Sequence, residues 1–202
     1  ADAARSGWNP SGWSVDQAAR VLLLLKSQPD PQKLFERSEQ LFITADVGEL
    51  VALYRGLPLY PQPSLYAKRG PEGIRTNIKS VFEAVAHRNP FPREQFSDDQ
   101  WNQMVLKALF IESPLWPIQG LDQRANEPLA RMLVDYAHER WAAAIADLTN
   151  VLSGGSDLER KAAALALSAC PNPNAKPALE SAPELANAIA SGDFSWAIVE
   201  TQ

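Results

Sequence analysis

Ser14-Val15-Asp16-Gln17-Ala18-Ala19-Arg20, extended by Val21-Leu22-Leu23-Leu24-Leu25 and stopped at Pro29-Asp30-Pro31, is the stretch whose reading decides the fold. Ser14 carries a hydroxyl suited to the free amides of a helix start. Val15, Ala18, Ala19, Leu22 and Leu25 recur at helical spacing, so the pattern predicts a helix over residues 15–27 with that stripe turned inward. Proline then ends it, because the ring lacks an amide and disfavours helix in the residue before it.

The same punctuation returns down the chain. Pro58-Leu59-Tyr60-Pro61, Pro90-Phe91-Pro92, Pro114-Leu115-Trp116-Pro117 and Pro171-Asn172-Pro173 each follow an apolar segment of helical period. The first prolines of successive pairs lie 29, 32, 24 and 57 residues apart. A helix–turn–helix unit near that period cannot bury its apolar face alone, and stacking neighbours seals it. The expected fold is therefore all-α, a single domain of stacked helical hairpins resembling a HEAT array or α-solenoid. Residues 1–152 form the expected body. Residues 153–202 form a hairpin packed on the same domain, with Gly154-Gly155-Ser156 as the hinge.

Further helices follow from the same signals. Residues 32–44 carry Leu34, Phe35, Leu41 and Phe42; Asp46 caps a short helix that ends at Arg55-Gly56. Residues 74–88 align Ile74, Ile78, Val81, Phe82 and Val85. Ser97-Asp98-Asp99-Gln100 opens a helix that turns Trp101, Met104, Val105, Ala108 and Leu109 inward. Asn126 caps residues 126–144, with Pro128 in the first turn, and 142–152 either continues that helix or starts another. Residues 157–170 and 174–191 make the last pair. Gly192 stops it, and Asp193 caps a final turn bearing Phe194 and Trp196.

Composition narrows the function. Among 202 residues, 46% are hydrophobic and 21% charged, the range of ordinary folded proteins. A net charge of -5 without a basic stripe argues against nucleic-acid binding. No apolar run, Val21–Leu25 included, comes near the length that spans a bilayer, so no direct membrane insertion is expected. No signal peptide is visible, though the chain does not begin with Met. Cys170 is the lone cysteine and ends an Ala-rich helix, which suits a buried, inert thiol in a reducing compartment.

No catalytic motif stands out: there is no phosphate-cradling glycine loop, no His-Glu-x-x-His and no Cys-x-x-Cys. Only two imidazoles exist. Glu83 and His87 lie four apart on the 74–88 helix, and Arg131, Asp135 and His138 share a polar face of the 126–144 helix. Convergence of these faces would place Glu83, His87, Asp135 and His138 for acid–base or metal work; the plainer reading is two solvated i,i+4 pairs. Arg75, Thr76 and Asn77 follow Gly73 at a predicted helix start, where free amides suit an anion, against a plain helix start. Lys107 either lines a groove or stays on the surface. Arg124 and Asn126, in the polar loop from Gly120, either bind substrate or form an internal network with Asp122. Trp8 and Trp13, in a Gly/Pro/Ser-rich lead, are candidates for docking onto another surface or onto the body itself. No cofactor and no metal are expected.

Several runs resemble the EboA family: Gly12-Trp13-Ser14-Val15-Asp16-Gln17, Ala45-Asp46-Val47-Gly48-Glu49-Leu50 through Arg55-Gly56-Leu57-Pro58, and Gly73-Ile74-Arg75-Thr76-Asn77. Arg88-Asn89-Pro90, Trp101-Asn102-Gln103-Met104, Gly120-Leu121-Asp122 with Arg124-Ala125-Asn126, and Asp135-Tyr136-Ala137-His138 continue the likeness, which covers most of residues 7–145. It implies a cytoplasmic bacterial protein encoded beside a prenyltransferase, a cyclase-like enzyme, a hydrolase and an isomerase-like barrel, a cluster tied to making or exporting specialised metabolites. It implies no catalytic residues. The leading expectation is a noncatalytic scaffold or binding module that engages those partners or a small polar intermediate. The alternative is an enzyme on a phosphorylated or polyhydroxylated intermediate. A peripheral membrane docking role lacks a basic amphipathic helix.

Overall fold

The computed structural model describes residue 8 and residues 10–193. Phe194 and Trp196 lie outside them. The chain divides into two compact units, Ala1–Ala130 and Arg131–Gln202. Among the described residues the fold is all-helical; the one extended pairing is a single antiparallel bridge between His87 and Ile118. No described helix is long and apolar enough to cross a membrane.

Unit 1 holds α1 (Val15–Ser27), α2 (Pro31–Thr44), α3 (Val47–Gly56), α4 (Arg69–Arg75), α5 (Lys79–Ala86), α6 (Phe91–Gln95) and α7 (Asp98–Phe110). Ser14, Asp46 and Ser97 each form a full capping box, with the third helical residue returning a side-chain bond to the cap amide. α3 packs between α1 and α5. Four consecutive α3 residues, Val51, Ala52, Leu53 and Tyr54, are buried, as a helix enclosed all round requires. Short 3-10 turns at Leu57–Leu59 and Pro63–Tyr66 follow α3. They deliver Tyr60 and Tyr66 into the core, rings 5.0 Å apart. The Tyr60 hydroxyl donates to the Leu53 carbonyl at 3.1 Å, and full burial pushes its pKa far up.

Three sequence expectations need correction here. The α1 stripe is offset: Val15 is 87% and Leu22 56% exposed, while Val21 and Leu24 are buried. The inward face runs Gln17, Val21, Leu24, Gln28, because Gln17 caps the helix and accepts from Arg55. Four adjacent leucines have no period of their own, so they could not set the register. The 74–88 helix is two helices. α4 starts at Arg69, with Pro71 in the first turn where no amide is needed, and the chain breaks at Thr76-Asn77-Ile78 before α5. Thr76 Oγ1 accepts from the Ile78 amide at 3.2 Å, a side-chain bond that competes with helix continuation. Gly73 sits inside α4, where an added Cβ would lie 2.7 Å from both Tyr54 and Val85. Finally, residues 174–191 form α10 (Ala175–Glu180) and α11 (Pro183–Ser191), split where Pro183 turns Ala182 out of helix.

α8 (Glu127–Gly154) runs unbroken for 28 residues, so 142–152 continues it. Unit 2 packs the part of α8 after Ala130 with α9 (Asp157–Ala169), α10 and α11. Its core is Ile145, Leu152, Ala163, Ala164, Leu167, Ala175 and Ala182. Cys170 is partly buried against this cluster. The Gly154-Gly155-Ser156 segment is a tight turn inside unit 2. Gly155 donates to Val151 O at 2.8 Å, and Ser156 caps α9 with a capping box.

Candidate functional site

The C-terminal ends of α3 and α5 come together around one buried amide. Asn89, 3% exposed, donates through Nδ2 to Tyr54 O (3.2 Å) and Ala84 O (3.1 Å) and accepts from the Phe91 amide at 3.0 Å. It thereby satisfies helix-end carbonyls that would otherwise be orphaned. The residue before it, Arg88, takes a left-handed φ of 49°, and its amide donates to Pro117 O at 2.9 Å. That local bend puts the side chains of His87 and Arg88 on the same small cavity as Arg55 from the last turn of α3.

The cavity holds about 220 Å³, with Trp13, Glu83 and Trp116 also on its wall. A strap of chain closes one side. Arg55 donates to Gly12 O (2.9 Å) and Gln17 Oε1 (2.5 Å), and Arg88 to Ser11 O (3.1 Å). Gly12 needs its φ of 89°, a region that favours glycine. Among the described residues no carboxylate lies within ion-pair distance of either guanidinium. Burial, then the neighbouring Arg88 charge, lowers the Arg55 pKa, and the Glu83 carboxylate opposes them. The Arg88 guanidinium lies 5.6 Å over the Trp116 ring, which is 74% exposed.

Behind this cavity Ser113 bridges the acid and the imidazole. Its hydroxyl donates to Glu83 Oε1 at 2.9 Å and lies 3.2 Å from His87 Nε2. With the hydroxyl hydrogen directed at Glu83, that proton is not offered to His87 Nε2, whose own role in the contact follows the imidazole tautomer. A serine nucleophile needs the reverse order, hydroxyl to imidazole to acid, and needs exposure; Ser113 is 4% exposed. Burial drives the His87 pKa below its ordinary value; Arg88 and Lys79 push the same way, and Glu83 and the Pro114 carbonyl oppose them.

The other residues singled out from sequence fall elsewhere. Asp135 and His138 are exposed on α8 in unit 2, His138 edge-on to Trp141 at 5.7 Å. Among the described residues no group of three His, Cys, Asp or Glu is placed to hold a metal. Arg75 ends α4 rather than starting a helix, and Asn77 is exposed in the break, so the free amides expected there are absent. Arg75 and Lys107 do share a cleft of about 490 Å³ between α4 and α7, but the Lys107 ammonium is held by Thr76 O at 2.6 Å.

Arg124 donates to Pro92 O (3.1 Å), Phe96 O (2.9 Å) and Asp98 Oδ1 (2.6 Å), and stacks over Trp101. Asn126 exchanges amide bonds with buried Asn102 at 3.0 and 2.9 Å and caps α8 through the Leu129 amide. Both form an internal network, though Asp98 and Asn102 complete it rather than Asp122. Sequence reasoning missed Arg55, Arg88 and Ser113 as site residues. The first two stand in the Arg55-Gly56 and Arg88-Asn89-Pro90 runs already noted, which was the available signal.

No curated protein and no solved structure matches the chain. A family model does, described as metabolite traffic protein EboA, over residues 1–151 of the 202. That span contains the strap, both arginines, the Asn89 anchor and the Ser113 bridge, and by this match the chain belongs to the EboA family.

Proposed function

We propose that this chain is a noncatalytic helical binding module that holds a small polar intermediate of a metabolite pathway in the Arg55–Arg88 cavity. One observation carries the reading: among the described residues, two guanidiniums outside ion-pair distance of any carboxylate face a cavity of about 220 Å³, and the Ser113 hydroxyl between Glu83 and His87 is buried rather than presented to it. The family description, metabolite traffic, supports holding and handing over rather than converting. In this reading unit 1 is a stack of helical hairpins in a HEAT-like manner, with α1, α3 and α5 as successive layers, acting in the cytoplasm. Enzymes of the pathway would deliver or collect the cargo.

Mass spectrometry of the full chain purified from cells running the pathway tests this. The expected result is a small molecule released on denaturation and unchanged in mass after prolonged incubation with the protein. Absence of any bound molecule, or its conversion, would overturn the reading. Conversion would favour the enzymatic alternative, for which the proximity of Glu83, Ser113 and His87 is the supporting observation.

A further inference from the structure

We infer that the Arg55–Arg88 cavity selects a carboxylate attached to a flat, unsaturated group. This rests on the binding-module reading and names the class of cargo. Charge comes first. Arg55 and Arg88 contribute two positive charges, Glu83 one negative, and His87, buried toward its neutral form, none. The cavity therefore complements a monoanion better than a dianion. Glu83 Oε1 is engaged by the Ser113 hydroxyl.

Geometry agrees. Each guanidinium has five N–H donors, and the strap occupies only Nη1 of each. The remaining donors suit the forked approach of a carboxylate. Size and shape supply the rest. An apolar cavity of about 150 Å³ holds benzene, so about 220 Å³ admits one ring with its carboxylate. Trp116, largely exposed with the Arg88 guanidinium over its ring, and Trp13 both stand on the cavity wall. Planar unsaturated groups stack on such faces with more gain than saturated chains of equal area.

Calorimetric titration of the full chain with cinnamate, cinnamamide and phenyl phosphate tests the inference. Cinnamate is expected to bind, with cinnamamide at least about tenfold weaker because it forfeits a charge-assisted pair. R88Q should lose about tenfold for cinnamate, and W116A about fivefold; the exposed Trp116 ring makes the second variant safe for the fold, and melting curves control for both. Equal binding of the amide, or tighter binding of the phosphate, would overturn the carboxylate class. No cinnamate binding at millimolar concentration would overturn it too. If the pathway-purified protein still released a bound molecule, the binding-module reading would survive that failure; if it released none, both would fall.

Discussion

In unit 1 the residues sealed from water include Trp101, Tyr60, Tyr66, Phe82 and Phe91, together with Ser38, Asn89, Asn102 and Ser113. In unit 2 they are Ile145, Leu152, Leu165, Leu167 and four alanines, with Asn172 the buried polar residue among those described. The two cores solve one problem with different chemistry. Rings and buried amides fix orientation, because a buried amide without its partners is costly and a ring fits few rotamers. Methyl-rich helices approach closely but specify little beyond distance. A pocket that must hold two guanidiniums, an imidazole and a strap in register needs the first kind of core, and it lies in unit 1.

Truncating one ring and one aliphatic chain is the harshest way to break this comparison. Phe82→Ala should cost about 3–5 kcal/mol and Leu167→Ala about 2–4 kcal/mol in urea unfolding. Only the first should also abolish binding at the Arg55–Arg88 cavity, since Phe82 is wholly buried in α5 beside Glu83. Next in size, Asn89→Leu should cost about 2–4 kcal/mol by stranding two carbonyls and an amide, and should weaken binding as Arg88 loses its bend.

A pH series sharpens the contrast further. The folded state holds His87 below its ordinary pKa, so the unfolded chain takes up the proton first as pH falls. The resulting stability is fully present above about pH 6.5 and is lost as pH falls through the folded value. Melting temperatures followed from about pH 8 to about pH 5 should drop in the parent, and the drop should be shallower in His87→Gln. The smallest effect belongs to α1. Leu22→Ser should move stability by no more than about 0.5 kcal/mol, whereas Val21→Ser, a change at a buried position, should cost about 2 kcal/mol.

Helix starts were the most legible part of this sequence. Ser14, Asp46 and Ser97 announce themselves because capping is a local bond between a side chain and an amide three residues on. Register and breaks were less so. The α1 face depends on Gln17 meeting Arg55, 38 positions away in sequence, and the gap between α4 and α5, opened locally by Thr76 Oγ1 on the Ile78 amide, is held as well by Lys107 on Thr76 O from another helix. Glu83 and His87 were visible as a pair, but the Ser113 that joins them comes from beyond α7. Arg124 and Asn126 show the reverse: polar residues in a loop look like ligand donors until Pro92, Phe96, Asp98 and Asn102 are seen to occupy them. Spacing encodes what one helix does; convergence is a property of the packed chain.

The most direct trial is an amide NMR titration of the intact protein with cinnamate. Shift changes confined to the strap at 11–17, the end of α3, residues 83–90 and residues 113–118 are the predicted result. Changes centred on α9 to α11, or none at saturating cinnamate, would contradict the account.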